Sequence, residues 1–66
     1  MTARRAALRR LLEDWEAGIA TIVFESEIAE ASELVLAGIV KSTGVRTMRL
    51  TDAGLALARR DEGGAG

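Results

Sequence analysis

The 27 residues from Leu34 to Arg60, LVLAGIVKSTGVRTMRLTDAGLALARR, constrain the fold of this 66-residue chain more than any other part of it. A helix end, a β-hairpin and a new helix start follow one another there without a linker. Gly38 closes a helical pattern, Ile39 to Lys41 read as a short strand, Ser42 to Gly44 as a turn, and Val45 to Leu50 as the returning strand. Met48 and Leu50 alternate with Thr47 and Arg49, the period of two expected when one face of a strand is buried. Gly44, at the end of the three-residue loop, is expected to take the left-handed conformation that such loops use. Thr51 then offers a hydroxyl to cap the last helix, and Asp52 places a negative charge at the positive end of its dipole. Leu55, Leu57 and Ala58 give that helix an apolar side.

Upstream, Leu8, Leu11, Leu12 and Trp15 fall at the i, i+3, i+4, i+7 spacing of one helix face, which makes Trp15 a core residue. Arg5, Arg9, Glu13 and Glu16 occupy the opposite side, with Arg9–Glu13 and Arg10–Asp14 spaced as i,i+4 pairs. Gly18 is the stop. Ile19 to Phe24, a β-branched and aromatic run too short for a helix, reads as a strand. Ser26 is placed to cap a second helix in which Ile28, Ala31 and Val35 share one face with Leu34 beside them. Residues 61–66, DEGGAG, have nothing to bury and are expected to form a disordered tail. The expectation is a single domain over residues 1–60, of α+β class, in the order α-β-α-β-β-α.

Composition narrows the chemistry. The chain has no Cys, His or Tyr, which removes thiolate sites and the commonest general base and metal ligand. Its carboxylates form no constellation with a nucleophile or a Gly-rich phosphate loop. No catalytic residue, metal site or cofactor is therefore expected, and the chain reads as a non-enzyme. No apolar run approaches the roughly 20 residues that a membrane span needs. The basic, amphipathic start MTARRAALRRLL runs directly into EDWE and lacks the apolar stretch of a targeting signal, so it reads as a helix of a mature cytoplasmic protein. So small a core is thin, and a homodimer is one way to supplement it.

Two short patterns carry a family likeness. Leu34, Gly38, Ile39 and Val40 match L-x-x-x-G-hydrophobic-hydrophobic, and Arg49, Leu50, Thr51, Ala53 and Gly54 match R-L-T-x-A-G. Over residues 34–59 the chain resembles bacterial winged-helix regulators of the MarR type, whose recognition helix ends in the first pattern and whose wing returns through the second. The resemblance implies a small winged-helix-like domain, with Lys41, Arg46 and Arg49 on the wing as nucleic-acid-binding residues. The upstream half departs from it. A helix-turn-helix needs two helices, on the order of 20 residues, whereas residues 25–38 hold one. That helix presents Glu25, Glu27, Glu30 and Glu33, which oppose the phosphate attraction underlying non-specific DNA affinity.

The sequence thus points to a small acidic binding protein, of net charge −1. It would engage a protein partner with a basic surface through Glu25, Glu27, Glu30 and Glu33 and the adjoining hairpin. An inhibitor or adaptor of a nucleic-acid-handling complex fits, such as a phage-encoded inhibitor of host defence. The alternative is a winged-helix DNA-binding transcriptional regulator that uses Lys41, Arg46 and Arg49 together with Arg4, Arg5, Arg9 and Arg10 of the first helix. DNA is the disfavoured partner of the two.

Overall fold

Two glycines decide where the first two helices stop. Gly18 (φ 77°) and Gly38 (φ 75°) sit in the left-handed region, where a residue without Cβ pays no steric penalty. Each closes a helix in the same way. Ile19 N–H donates to Asp14 O and Gly18 N–H to Trp15 O; Ile39 N–H donates to Leu34 O and Gly38 N–H to Val35 O, all at 3.0–3.1 Å. These paired 6→1 and 5→2 bonds satisfy carbonyls that a helix end would otherwise leave open.

In a computed structural model describing residues 3–63, with side chains from residue 5 to residue 61, the elements are α1 (Ala3–Glu16), β1 (Thr21–Ile22), a 3-10 turn (Glu25–Glu27), α2 (Ile28–Leu36), β2 (Val40–Ser42), β3 (Thr47–Leu50) and α3 (Asp52–Gly63). The α-β-α-β-β-α order holds, and the chain is a small α+β fold of winged-helix-like architecture. The strands form one antiparallel sheet in the order β1-β3-β2. β3 is central, pairing Met48 with Thr21 on one side and Leu50 with Val40 on the other.

α1 lays Leu8, Leu11 and Leu12 on the sheet, where they meet Leu34, Ile39, Val40, Met48, Leu50 and Ala58 in one aliphatic core. Burial of each Leu, Ile, Val or Met side chain among them stabilises the fold by about 1.5–3 kcal/mol. Trp15 packs at the margin of this core, half-buried, with the Arg59 guanidinium 5.3 Å above its ring. The period-two pattern of β3 appears as expected, with Met48 and Leu50 buried and Thr47 and Arg49 half-buried between them.

The junction of α2, β2 and α3 is the tightest part of the chain. Thr51 Oγ1 accepts from Gly54 N–H at 3.1 Å, capping α3, and lies 2.5 Å from the Gly38 carbonyl and 3.1 Å from that of Ile39. Thr51 N–H also donates to Ile39 O at 3.0 Å. Gly54 is buried over the same carbonyl, and a methyl group added there would overlap the Ile39 oxygen. The two sequence patterns are thus one contact, with G-I-V supplying a backbone carbonyl and T-x-A-G supplying the hydroxyl and the space to approach it.

Several local expectations are corrected. Only Thr21 and Ile22 of the 19–24 run are strand residues, paired with Met48 and Thr47, and Val23 N–H adds one bond to Arg46 O beyond them. Thr21 and Val23 point inward, while Ile19, Ile22 and Phe24 are exposed. Ser26 lies inside the 3-10 turn and caps nothing; the turn starts from Phe24, whose N–H donates to Glu27 Oε1 at 3.0 Å. The hairpin loop lies two residues later than expected, since Thr43 N–H still donates to Thr47 O. Gly44 is not left-handed; its lack of a side chain instead leaves room for the Thr47 hydroxyl, which a Cβ would approach to 2.5 Å. Residues 61–63, expected in the tail, continue α3; residues 64–66 lie outside the described residues.

Candidate functional site

α2 carries apolar side chains in two directions. At 3.6 residues per turn, Leu34 and Ala31 fall on one side, and Ile28, Ser32, Val35 and Leu36 within an arc of about 100° beside it. The first set meets the core, with Leu34 4% exposed. The second does not. Ile28 and Val35 are 42% and 45% exposed and Leu36 is 88% exposed, although the sequence pattern places Ile28 and Val35 on the buried face. The physical reason is shortage of cover: the strands are two to four residues long, and a single 3-10 turn stands where a helix-turn-helix has its first helix.

The uncovered face borders a groove of about 470 Å³ between α2 and the β2–β3 hairpin. Val23 and Ala31 lie along it, Leu36 on its helical side and Val45, fully exposed, on its hairpin side. Arg46 is the charged residue lining it. The Arg46 carbonyl accepts from Val23 N–H at 2.8 Å, which puts Arg46 at the end of the groove where the chain enters the 3-10 turn.

The four expected carboxylates do not act as one stripe. Glu27 is part of a clamp: its Oε2 accepts from Arg10 Nη1 at 2.8 Å, and Arg10 Nη2 donates to Ile22 O at 2.6 Å with the guanidinium 5.4 Å over the Phe24 ring. The clamp joins α1 to the segment between β1 and α2. Its partners are 17 residues apart, so no local spacing rule could have found it. It also displaces the expected Arg10–Asp14 pair, and Asp14 instead accepts from Thr21 Oγ1 at 2.8 Å. Arg9–Glu13 does form, at 3.9 Å and well exposed. Glu25 and Glu33 are exposed and Glu30 half-buried. On α2, Glu30 and Glu33 face away from the groove, whereas Glu25 lies one turn before Ile28.

The three wing cations are likewise divided. Lys41 and Arg49 are cross-strand partners on the outer face of the sheet, and Arg49 Nη2 reaches the Trp15 carbonyl at the end of α1, 3.4 Å away. They border a polar depression shared with Trp15 and Asp52. Arg46 is on the groove instead. A negative helix terminus and a carboxylate beside Lys41 and Arg49 offset much of their pull on phosphate.

Among the described residues no helix is long and apolar enough to cross a membrane, and no group of three His, Cys, Asp or Glu side chains is placed to hold a metal ion. No family model, curated protein or solved structure matches the chain. What the surface can do chemically follows from its own side chains: it offers apolar contact area with the Arg46 charge and the hydroxyls of Ser32, Ser42 and Thr47 beside it.

Proposed function

We propose that this chain is a non-catalytic protein-binding module that works through α2 and the adjoining hairpin, as an inhibitor or adaptor of a nucleic-acid-handling complex. The observation that carries the reading is the concentration of exposed apolar side chains, Ile28, Val35, Leu36 and Val45, around one groove. Contiguous apolar surface on a small protein marks an interaction site far more often than isolated exposed residues do. The carboxylates of Glu30 and Glu33 on the other side of the same helix supply a sign, favouring a partner with a basic surface and speeding encounter with it.

The competing proposal, a DNA-binding regulator, draws on exposed Lys41 and Arg46. Of the remaining cations in the wing and first helix, Arg10 is committed to Glu27, Arg49 to the end of α1 and Arg9 to Glu13, which reduces the number open to phosphate.

The test is affinity capture from native lysate with three baits, the unaltered chain, Leu36→Glu and Glu30→Gln/Glu33→Gln, with retained proteins identified by mass spectrometry. A basic protein held by the unaltered chain and reduced with both variants supports the reading. One held equally by all three places the functional surface elsewhere. Mobility shift of random duplex DNA is expected to show weak or no binding at physiological salt; tight binding with a steep salt dependence would establish the DNA reading in its place.

A further inference from the structure

Resting on the reading of the groove as a docking surface, we infer that the partner fills it with an amphipathic helix, antiparallel to α2 and with its C-terminal end at Arg46. Three observations select a helix over an extended segment. First, neither edge of the sheet has room for another strand. Thr43 N–H donates to Thr47 O and Thr51 N–H to Ile39 O, so by antiparallel alternation Val40 and Ser42 turn their main-chain groups to the outer side of β2. Val40 is 2% exposed, which leaves Ser42 alone open there. On the β1 edge, the Ile22 carbonyl already accepts from Arg10 Nη2. Second, the groove offers an incoming backbone little to bond with. Ser42 Oγ donates to Gly44 O, and Thr47 Oγ1 accepts from Thr43 Oγ1. An extended chain laid on Ile28, Val35 and Val45 would leave N–H and C=O groups unpaired, whereas a helix satisfies its own.

Third, the relief of α2 itself suits a helix. Ile28, Ser32 and Leu36 stand four apart, as do Ala31 and Val35, and all five line the groove. They form two ridges with a channel between them, of the kind that receives a ridge of side chains from another helix. The 3-10 turn Glu25–Glu27 stands where a helix-turn-helix has its first helix, so an incoming helix supplies cover that the chain lacks. Charge fixes its direction. Arg46 makes no ion pair among the described residues, and its carbonyl bond to Val23 N–H keeps it beside the start of α2. The negative end of an antiparallel helix meets Arg46 there, while its positive end lies by the C-terminal end of α2, at Leu36. Glu33 lies about 60° round α2 from Leu36, within reach of a basic residue on the flank of the incoming helix. The docked segment is therefore apolar on one face and basic beside it, in keeping with a partner that has a basic surface.

Selection from a phage-displayed library of random peptides of about 14 residues, near the shortest length at which isolated helices persist, tests this on the full chain. Recovered peptides are synthesised and titrated by fluorescence anisotropy. They should carry apolar residues at i, i+3, i+4 and i+7 and gain helical circular dichroism on binding. Affinity should fall by about tenfold or more toward Leu36→Glu and toward Val45→Glu, variants that keep the unaltered circular dichroism because both side chains are exposed. Toward Arg46→Glu it should fall by about fivefold. A nitroxide on the peptide C-terminus should broaden the amide resonances of Val23 and Arg46, and one on its N-terminus that of Leu36. Peptides that depend on Leu36 and Val45 but alternate every second residue, or that tolerate a central Pro, overturn the helix and leave the docking reading standing. A nitroxide pattern of the opposite polarity overturns the antiparallel arrangement in the same way. Peptides indifferent to both Leu36→Glu and Val45→Glu, or a library that yields none, overturn the inference and the docking reading together.

Discussion

α1 and α2 are both amphipathic helices in one small fold, and they end in opposite situations. α1 turns Leu8, Leu11 and Leu12 inward until each is 2–4% exposed. α2 buries only Leu34 among its aliphatic residues and leaves Ile28, Val35 and Leu36 open. The difference does not come from how apolar the helices are, since α2 has the more apolar sequence. It comes from the number of directions in which apolar groups point and from what stands opposite. α1 has a single stripe with the sheet and α3 beneath it; α2 has a second stripe facing a hairpin too short to cover it. Apolar surface left open in this way is what the proposed docking role rests on.

The largest effect expected from breaking this contrast is at Leu11. Replacement by Ala should cost about 3 kcal/mol, enough to unfold much of the population of a domain this size. Leu36→Ala should stay within about 0.5 kcal/mol of the unaltered chain. Equal losses in urea unfolding would show that the open face of α2 is packed after all. Next in size is Gly54→Ala, in which the new methyl group meets the Ile39 carbonyl and must push α3 away from the end of α2. About 1–3 kcal/mol should be lost, and an unshifted melting curve would mean that the junction gives way freely.

Glu27→Gln sharpens the distinction between the clamped carboxylate of the 3-10 turn and those of α2. It weakens a partly exposed ion pair while keeping a hydrogen-bond acceptor for Phe24 N–H, so the expected loss is about 0.5–1 kcal/mol. The smallest effect belongs to Glu30→Gln/Glu33→Gln, which should leave stability within about 0.5 kcal/mol. A triple exchange with Glu27 included should then lose what Glu27→Gln loses alone; a neutral triple variant would show that the Arg10 clamp contributes nothing.

Legibility followed the range of the interactions. Helix stops at Gly18 and Gly38, the Thr51 cap, the alternation in β3 and the α-β-α-β-β-α order all rest on contacts within about five residues, and the linear chain displays them. The core face of α1 was equally plain, because one stripe has one side to bury. Tertiary structure alone decided the rest. Whether Ile28 and Val35 are covered depends on how far the sheet extends past them, which no residue of α2 encodes. Whether Glu27 belongs to a binding stripe or a clamp depends on Arg10, 17 residues away, arriving beside it. Arg46 parts from Lys41 and Arg49 because it lies in the loop before β3 with its carbonyl bonded to Val23 N–H, whereas Lys41 and Arg49 face each other across the paired strands. Local hydrogen bonding determines the elements; which of their surfaces remain uncovered is set by their lengths and by what packs opposite.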